Sequence, residues 1–159
     1  MADFMDAALE EAKTGRDEGN LPVGSVVVKD AQIIGAGRNR QHQTGDPTTH
    51  AELEAIRDAT SASPGQDPYD MFKGAVCYTT MMPCPMCAGA IIRFGFSKVV
   101  VAETESYVDA GTLPLMEKQG IIVEVRRDQN CIELVESYYE DDPQTADVMK
   151  SGARGQLKL

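Results

Sequence analysis

What this chain is short of narrows its function before any motif is considered. No apolar run is long enough to cross a bilayer, and none stands near the start behind a basic segment; a span needs roughly 20 consecutive apolar residues. No membrane partner is therefore expected, and the cytoplasm is the expected location. Positive charge is also scarce: 15 basic residues face 25 acidic ones, a formal net charge of -10. Proteins that grip nucleic acid use clustered Lys and Arg to displace counterions from phosphate. The acidic total, and the lack of a Lys/Arg-rich C-terminal helix, make a small uncharged molecule the expected partner rather than RNA or DNA. Repeats and low-complexity stretches are absent. Histidine occurs twice and tryptophan not at all. Cysteine occurs four times, yet two of the four form a C-x-x-C, which argues for metal and a reducing compartment rather than a disulfide framework. The other two, Cys77 and Cys131, sit in apolar periodic segments and read as small buried hydrophobes.

With 159 residues, 42% hydrophobic and 25% charged, the chain suits one globular domain over 1–159. Asp3 to Glu18 has helical apolar spacing (Phe4, Ala8, Ala12, Gly15), with Asp3 as cap and Gly19-Asn20 followed by Pro22 as the stop. Val23–Lys29 and Gln32–Arg38 read as strands joined by Asp30-Ala31, and the run Val26-Val27-Val28 marks a strand covered on both faces. Asn39–Thr49 reads as polar loop, His50–Ala59 as helix, and Ser61–Asp70 as surface loop. Ala75–Met81 and Ser97–Glu103 are expected strands, with a helix opening at Pro83 and Pro85 between them. Thr112–Gln119, Ile121–Val125 and Asp128–Tyr139 follow as helix, strand and helix, and from Asp142 on another turn or two is expected. Such alternation of strands and helices predicts an α/β fold, a three-layer α/β/α sandwich.

The chemistry concentrates in His50-Ala51-Glu52 and Pro83-Cys84-Pro85-Met86-Cys87. One imidazole and two thiols are three soft ligands for zinc. No fourth protein ligand has the right spacing; His42 and Cys77 are the remaining candidates by chemistry alone. Structural zinc sites are closed by four side chains, whereas catalytic ones keep a place for water. Each helical residue turns about 100°, so His50 and Glu52 share a site only if His50 stands at the helix cap. Both ligand segments are expected at helix N-termini, where thiols ionise more readily. Zinc there would bring the pKa of a bound water towards ~7, with Glu52 as general base and then acid. Asn39, by position, is either a turn asparagine or a substrate contact; Tyr107 is core, surface or a stacking platform. His42 reads as solvated, and Met81, Met82 and Met86 as pocket packing.

The pattern H-x-E…P-C-x-x-C is a signature of zinc nucleobase deaminases, and the sequence resembles the cytidine deaminase superfamily. More narrowly it resembles fungal-type cytosine deaminases, with related bacterial guanine and tRNA adenosine deaminases nearby. Leu21-Pro22-Val23-Gly24, Gly37-Arg38-Asn39, Ala88-Gly89-Ala90-Ile91-Ile92 and Tyr138–Gln144 also carry the likeness. It implies a five-stranded mixed sheet between helices, a homodimer, and one Zn2+ per subunit on His50, Cys84 and Cys87. It also implies a hydrolase with Glu52 as proton shuttle, acting in pyrimidine salvage. By the same likeness Asn39 binds the carbonyl of a base, Tyr107 (phenylalanine in the fungal enzymes) covers it, and Val23, Gly24 and Ala51 line the pocket. The fungal enzymes close the site with a C-terminal Trp and Asp, making 142–159 a lid segment and tail. Here Trp is missing, and Asp147 is the candidate for the acidic role. The expected reaction is cytosine to uracil and ammonia. The alternatives are isocytosine or an ammeline-type aminotriazine, then guanine or tRNA adenosine, or a zinc-stabilised binding module without activity.

Overall fold

The valine-rich segments pair where their alternation demands. The computed structural model describes residues 3–107 and 111–152, so the end of the expected tail, 153–159, lies outside the described residues. The strands are β1 (Gly24–Lys29), β2 (Gln32–Arg38), β3 (Val76–Thr79), β4 (Lys98–Val101) and β5 (Ile122–Val125). They form one five-stranded sheet in the order β2-β1-β3-β4-β5. β1 pairs antiparallel with β2 and with β3, while β3, β4 and β5 run parallel. The sheet is therefore mixed, as expected. Asp30 and Ala31 make the β1–β2 turn with φ of 51° and 59°, the left-handed pair that a tight hairpin needs.

Helices cover both faces. On one, α1 (Phe4–Asp17) and the start of α7 (Gln129–Asp141) place Met5, Ala8 and Cys131 against Val26, Val28 and Val100. On the other, α3 (Ala51–Ala62), α5 (Pro85–Arg93) and α6 (Thr112–Lys118) place Ala55, Ile91 and Met116 in one cluster with Val27, Val99 and Val101. Neighbouring valines thus serve opposite cores, which is why β1 carries no polar face. α1 is capped by Asp3 through a reciprocal capping box with Asp6. Three glycines on the β1–β2 hairpin, Gly24, Gly35 and Gly37, lie tight against helices. A Cβ on Gly37 would lie 2.3 Å from the Ala55 nitrogen of α3, and one on Gly24 2.0 Å from the Ala8 carbonyl of α1.

Gly24→Ala is expected to lower stability by about 3 kcal/mol, the upper end for over-packing. Urea denaturation, read as a lower midpoint at unchanged slope, checks it.

Three segments depart from the sequence expectations. The polar loop contains α2 (Gln41–Thr44), and the 61–70 loop gives way to α4 (Pro68–Phe72), whose Asp67 cap accepts from Tyr69 and Asp70 N–H groups. The chain beyond Asp142 forms α8 (Pro143–Ser151), nine residues long rather than a turn or two.

Candidate active site

Helix phase decides which side chains meet. His50 is the N-cap of α3, with extended backbone at φ -78° and ψ 154°, so its ring leaves the helical phase and joins the side occupied by Glu52. Cys84 is likewise the N-cap of α5, and Cys87 lies in its first turn. Neither His50 nor Cys84 spends its side chain on a cap hydrogen bond. The Cys84 Sγ lies 3.5 Å and the Cys87 Sγ 3.6 Å from His50 Nδ1, and the three donor atoms fall within 4.8 Å of one another.

That geometry fits a tetrahedral zinc ion, for which Zn–S near 2.3 Å and Zn–N near 2.0–2.1 Å put sulfur and nitrogen roughly 3.6 Å apart. Among the described residues no fourth side chain joins the group, so the donor set is that of an open site. His42 bonds the Gly19 carbonyl instead, and Cys77 lies against Ser25.

The electrostatics follow from burial. Glu52 is 4% exposed, and burial followed by the charge of Cys84 pushes its pKa up. Its Oε1 lies 3.3 Å from the Thr79 hydroxyl, which also reaches the Met81 carbonyl at 3.0 Å. A hydrogen bond from Cys87 opposes burial and, with His50, holds the Cys84 thiol down at about 4, while Cys87 is pushed up by Cys84 and by burial. For His50, burial works against the charged form, but Cys84 and Glu52 outweigh it and its pKa rises.

A cavity of about 350 Å³ opens beside this group, and His50, Ala51, Glu52 and Cys84 form its floor. Val23, Asn39 and Tyr107 line it, so the structure brings these predicted residues together. Asn39 is 4% exposed, and its orientation is fixed from one side. Oδ1 accepts the Gln41 backbone N–H at 3.1 Å, while Nδ2 donates to Gln41 Oε1 at 3.0 Å. One N–H of that amide remains for a ligand.

Two of the expected site residues stand off the cavity wall. Gly24 does not line the cavity, because it is pressed against α1 and its N–H is held by Thr80 Oγ1 at 3.0 Å. Asp147 is exposed on α8 and lies off the wall, which is built instead by Thr145 and Met149. Those two are four apart and share a helix face, and Asp147 between them points about 200° round. Sequence reasoning also missed Gln41, His42 and Tyr138 on the wall. The cap signal Asp142-Pro143 followed by the Thr145/Met149 spacing could have found α8 and its inward face; nothing in the sequence marked the four-residue α2.

Comparison with known proteins agrees with this geometry. The family described as "Cytidine and deoxycytidylate deaminase zinc-binding region" matches residues 1–103. A cytosine deaminase from Candida albicans is 33% identical over 88% of this chain and 89% of its own length. A tRNA-specific adenosine deaminase from Aquifex aeolicus is 35% identical over 61% of this chain and 62% of its own. The structure of a guanine deaminase from Nitrosomonas europaea shares the fold, with a TM-score of 0.68 at 23% identity, covering 86% of this chain and 82% of that one. With the fold, the His-Cys-Cys donor set and the family match in agreement, the chain belongs to the cytidine and deoxycytidylate deaminase zinc-binding family and is a zinc-dependent deaminase.

Proposed function

We propose that this enzyme hydrolytically deaminates a small free nucleobase, with cytosine to uracil as the leading reaction. The observation that carries the reading is the cavity itself, of a size for one small ring. Thr145 and Met149 of α8 line it together with Asn39, which keeps one amide N–H, and the Glu52 carboxyl.

His50, Cys84 and Cys87 would hold the zinc, which when bound supplies the Lewis acidity that makes water a nucleophile at neutral pH. The protein's own groups do the rest. Asn39 Nδ2 donates to the base carbonyl, and Tyr107 with Val23 confines the ring. Glu52, kept from bulk water, accepts one proton from the attacking water and gives it to a ring nitrogen, then takes the second from the new C–OH group and gives it to the amino group, which leaves as ammonia when the C–N bond breaks. Its raised pKa suits it to hold each proton between uptake and release.

Glu52 is the only carboxylate on the cavity wall among the described residues. The side of the ring away from the amino group therefore meets Thr145 and Met149 rather than an acid. This favours isocytosine or an aminotriazine as the second reading. A homodimer, and exclusion of nucleic acid by the net charge of -10, belong to the same proposal.

Ammonia release from cytosine, isocytosine, ammeline, guanine and tRNA tests it; silence on every free base overturns it. Asn39→Ala is expected to raise KM for the active base about tenfold, equivalent to about 1.4 kcal/mol, with the metal retained. Steady-state kinetics beside zinc analysis check this.

A further inference from the structure

We propose that Glu103 and Tyr139 are positioning residues that clamp the backbone of residues 105–107 and thereby hold the Tyr107 ring against the cavity. The inference rests on the nucleobase reading above. Tyr107 is 5% exposed and lies on the cavity wall, yet it sits in the loop after β4, beyond the last ladder pair at Val101. Loop peptides buried away from water need other partners.

Here the partners come from two side chains. Glu103 is fully buried, and its Oε2 accepts the N–H of Glu105 at 2.6 Å and of Ser106 at 2.9 Å. From the other side the Tyr139 hydroxyl of α7 donates to the Ser106 carbonyl at 2.8 Å. The N–H and C=O of Ser106 are thus both pinned, and Tyr107 is the next residue along. Tyr139 also stacks edge-on to Tyr138, which lines the cavity.

Stability gives a poor account of this arrangement. Burying a carboxylate is costly unless its lone pairs are satisfied, and Glu103 Oε1 has no hydrogen-bond partner among the described residues. Accordingly, burial holds the pKa of Glu103 up against the two N–H donors. What the carboxylate does achieve is a charge-assisted, two-point hold on one turn of chain, placed where the ring must not swing.

The test uses Glu103→Gln, Tyr139→Phe, Tyr107→Ala and the double variant E103Q/Y107A, assayed with whichever base the wild type deaminates. Glu103→Gln should raise KM about tenfold at unchanged zinc content, and Tyr139→Phe about threefold. In the Tyr107→Ala background Glu103→Gln should add less than about twofold, because both changes remove the same effect. A lower melting temperature with unchanged KM, or the full tenfold effect persisting without Tyr107, overturns the proposal. Should Glu103→Gln fail to fold, Tyr139→Phe decides on the same criterion. If the wild type acts on no free base, the nucleobase reading fails. The clamp is then read from amide hydrogen exchange at Ser106 and Tyr107, which Tyr139→Phe should speed about threefold. Unchanged exchange overturns it.

Discussion

Glu52→Gln is expected to lower kcat by about three orders of magnitude while leaving zinc content and fold unchanged. The substitution keeps shape and burial at a position 4% exposed. The amide oxygen can still accept from the Thr79 hydroxyl that stands 3.3 Å from Oε1. What it loses is the ability to take up and release a proton, and positioned proton transfer contributes about 10²–10⁴ in rate. A pH profile adds a second reading. Burial and the charge of Cys84 push the Glu52 pKa up, and the carboxyl must be ionised to accept the first proton. Activity of the wild type should therefore fall at low pH as that carboxyl takes up its proton, and the limb should vanish in the variant. The stability sign is opposite. A carboxyl whose pKa is raised on folding stabilises the fold only where it is protonated and costs stability as pH rises past its unfolded value near ~4.3. The metal-free Gln variant should thus be at least as stable as the metal-free wild type at pH 7. More than about a tenth of wild-type kcat in Glu52→Gln would sink the assignment.

The catalytic cluster was legible in the sequence because its constraint is local. A histidine two residues before a glutamate cannot share a helix face with it, so His50 had to be the cap, and the extended backbone at His50 bears this out. The hairpin and the doubly covered β1 were equally readable, since three consecutive valines leave neither face for water. The lid was harder. Its length depends on α8 docking against the body of the protein, and periodicity over nine residues says little about what a helix packs on. Asp147 stands off the cavity wall for a related reason. The acidic role came from resemblance, while the face of α8 turned inward is set by Thr145 and Met149. Gly24 also stands off the wall, and a glycine gives no side chain to follow; its place is fixed by how closely α1 approaches the strand. The Glu103 clamp left no trace either, because nothing in the sequence distinguishes a buried loop carboxylate from a solvated one.

Cys87→Ala should abolish zinc binding and with it turnover, whereas Cys77→Ala should leave both intact. The two thiols are alike in burial, at 0% and 1% exposure, so burial cannot separate them; surroundings do. Cys87 Sγ lies 3.6 Å from His50 Nδ1 and neighbours Cys84, whose thiol pKa is held down at about 4. Its removal leaves two donors where the geometry needs three. Cys77 faces Ser25 at 3.4 Å, and burial pushes its thiol up to about 12, which keeps it protonated and inert toward metal. Cys77→Ala is therefore expected to cost about 1 kcal/mol of stability, with one zinc per chain and kcat within about twofold of wild type, since Cys77 is neither in the donor group nor among the residues that line the cavity. For Cys87→Ala, metal analysis after dialysis should find below about a tenth of a zinc per chain, and the rate should fall at least a thousandfold, because water activation and Glu52 act as one unit. The same outcome is expected when a chelator strips the wild type, with activity returning on adding zinc. A Cys87→Ala protein that keeps a full zinc complement would mean that another side chain completes the site. Retained turnover without zinc would mean that the water is activated by Glu52 alone.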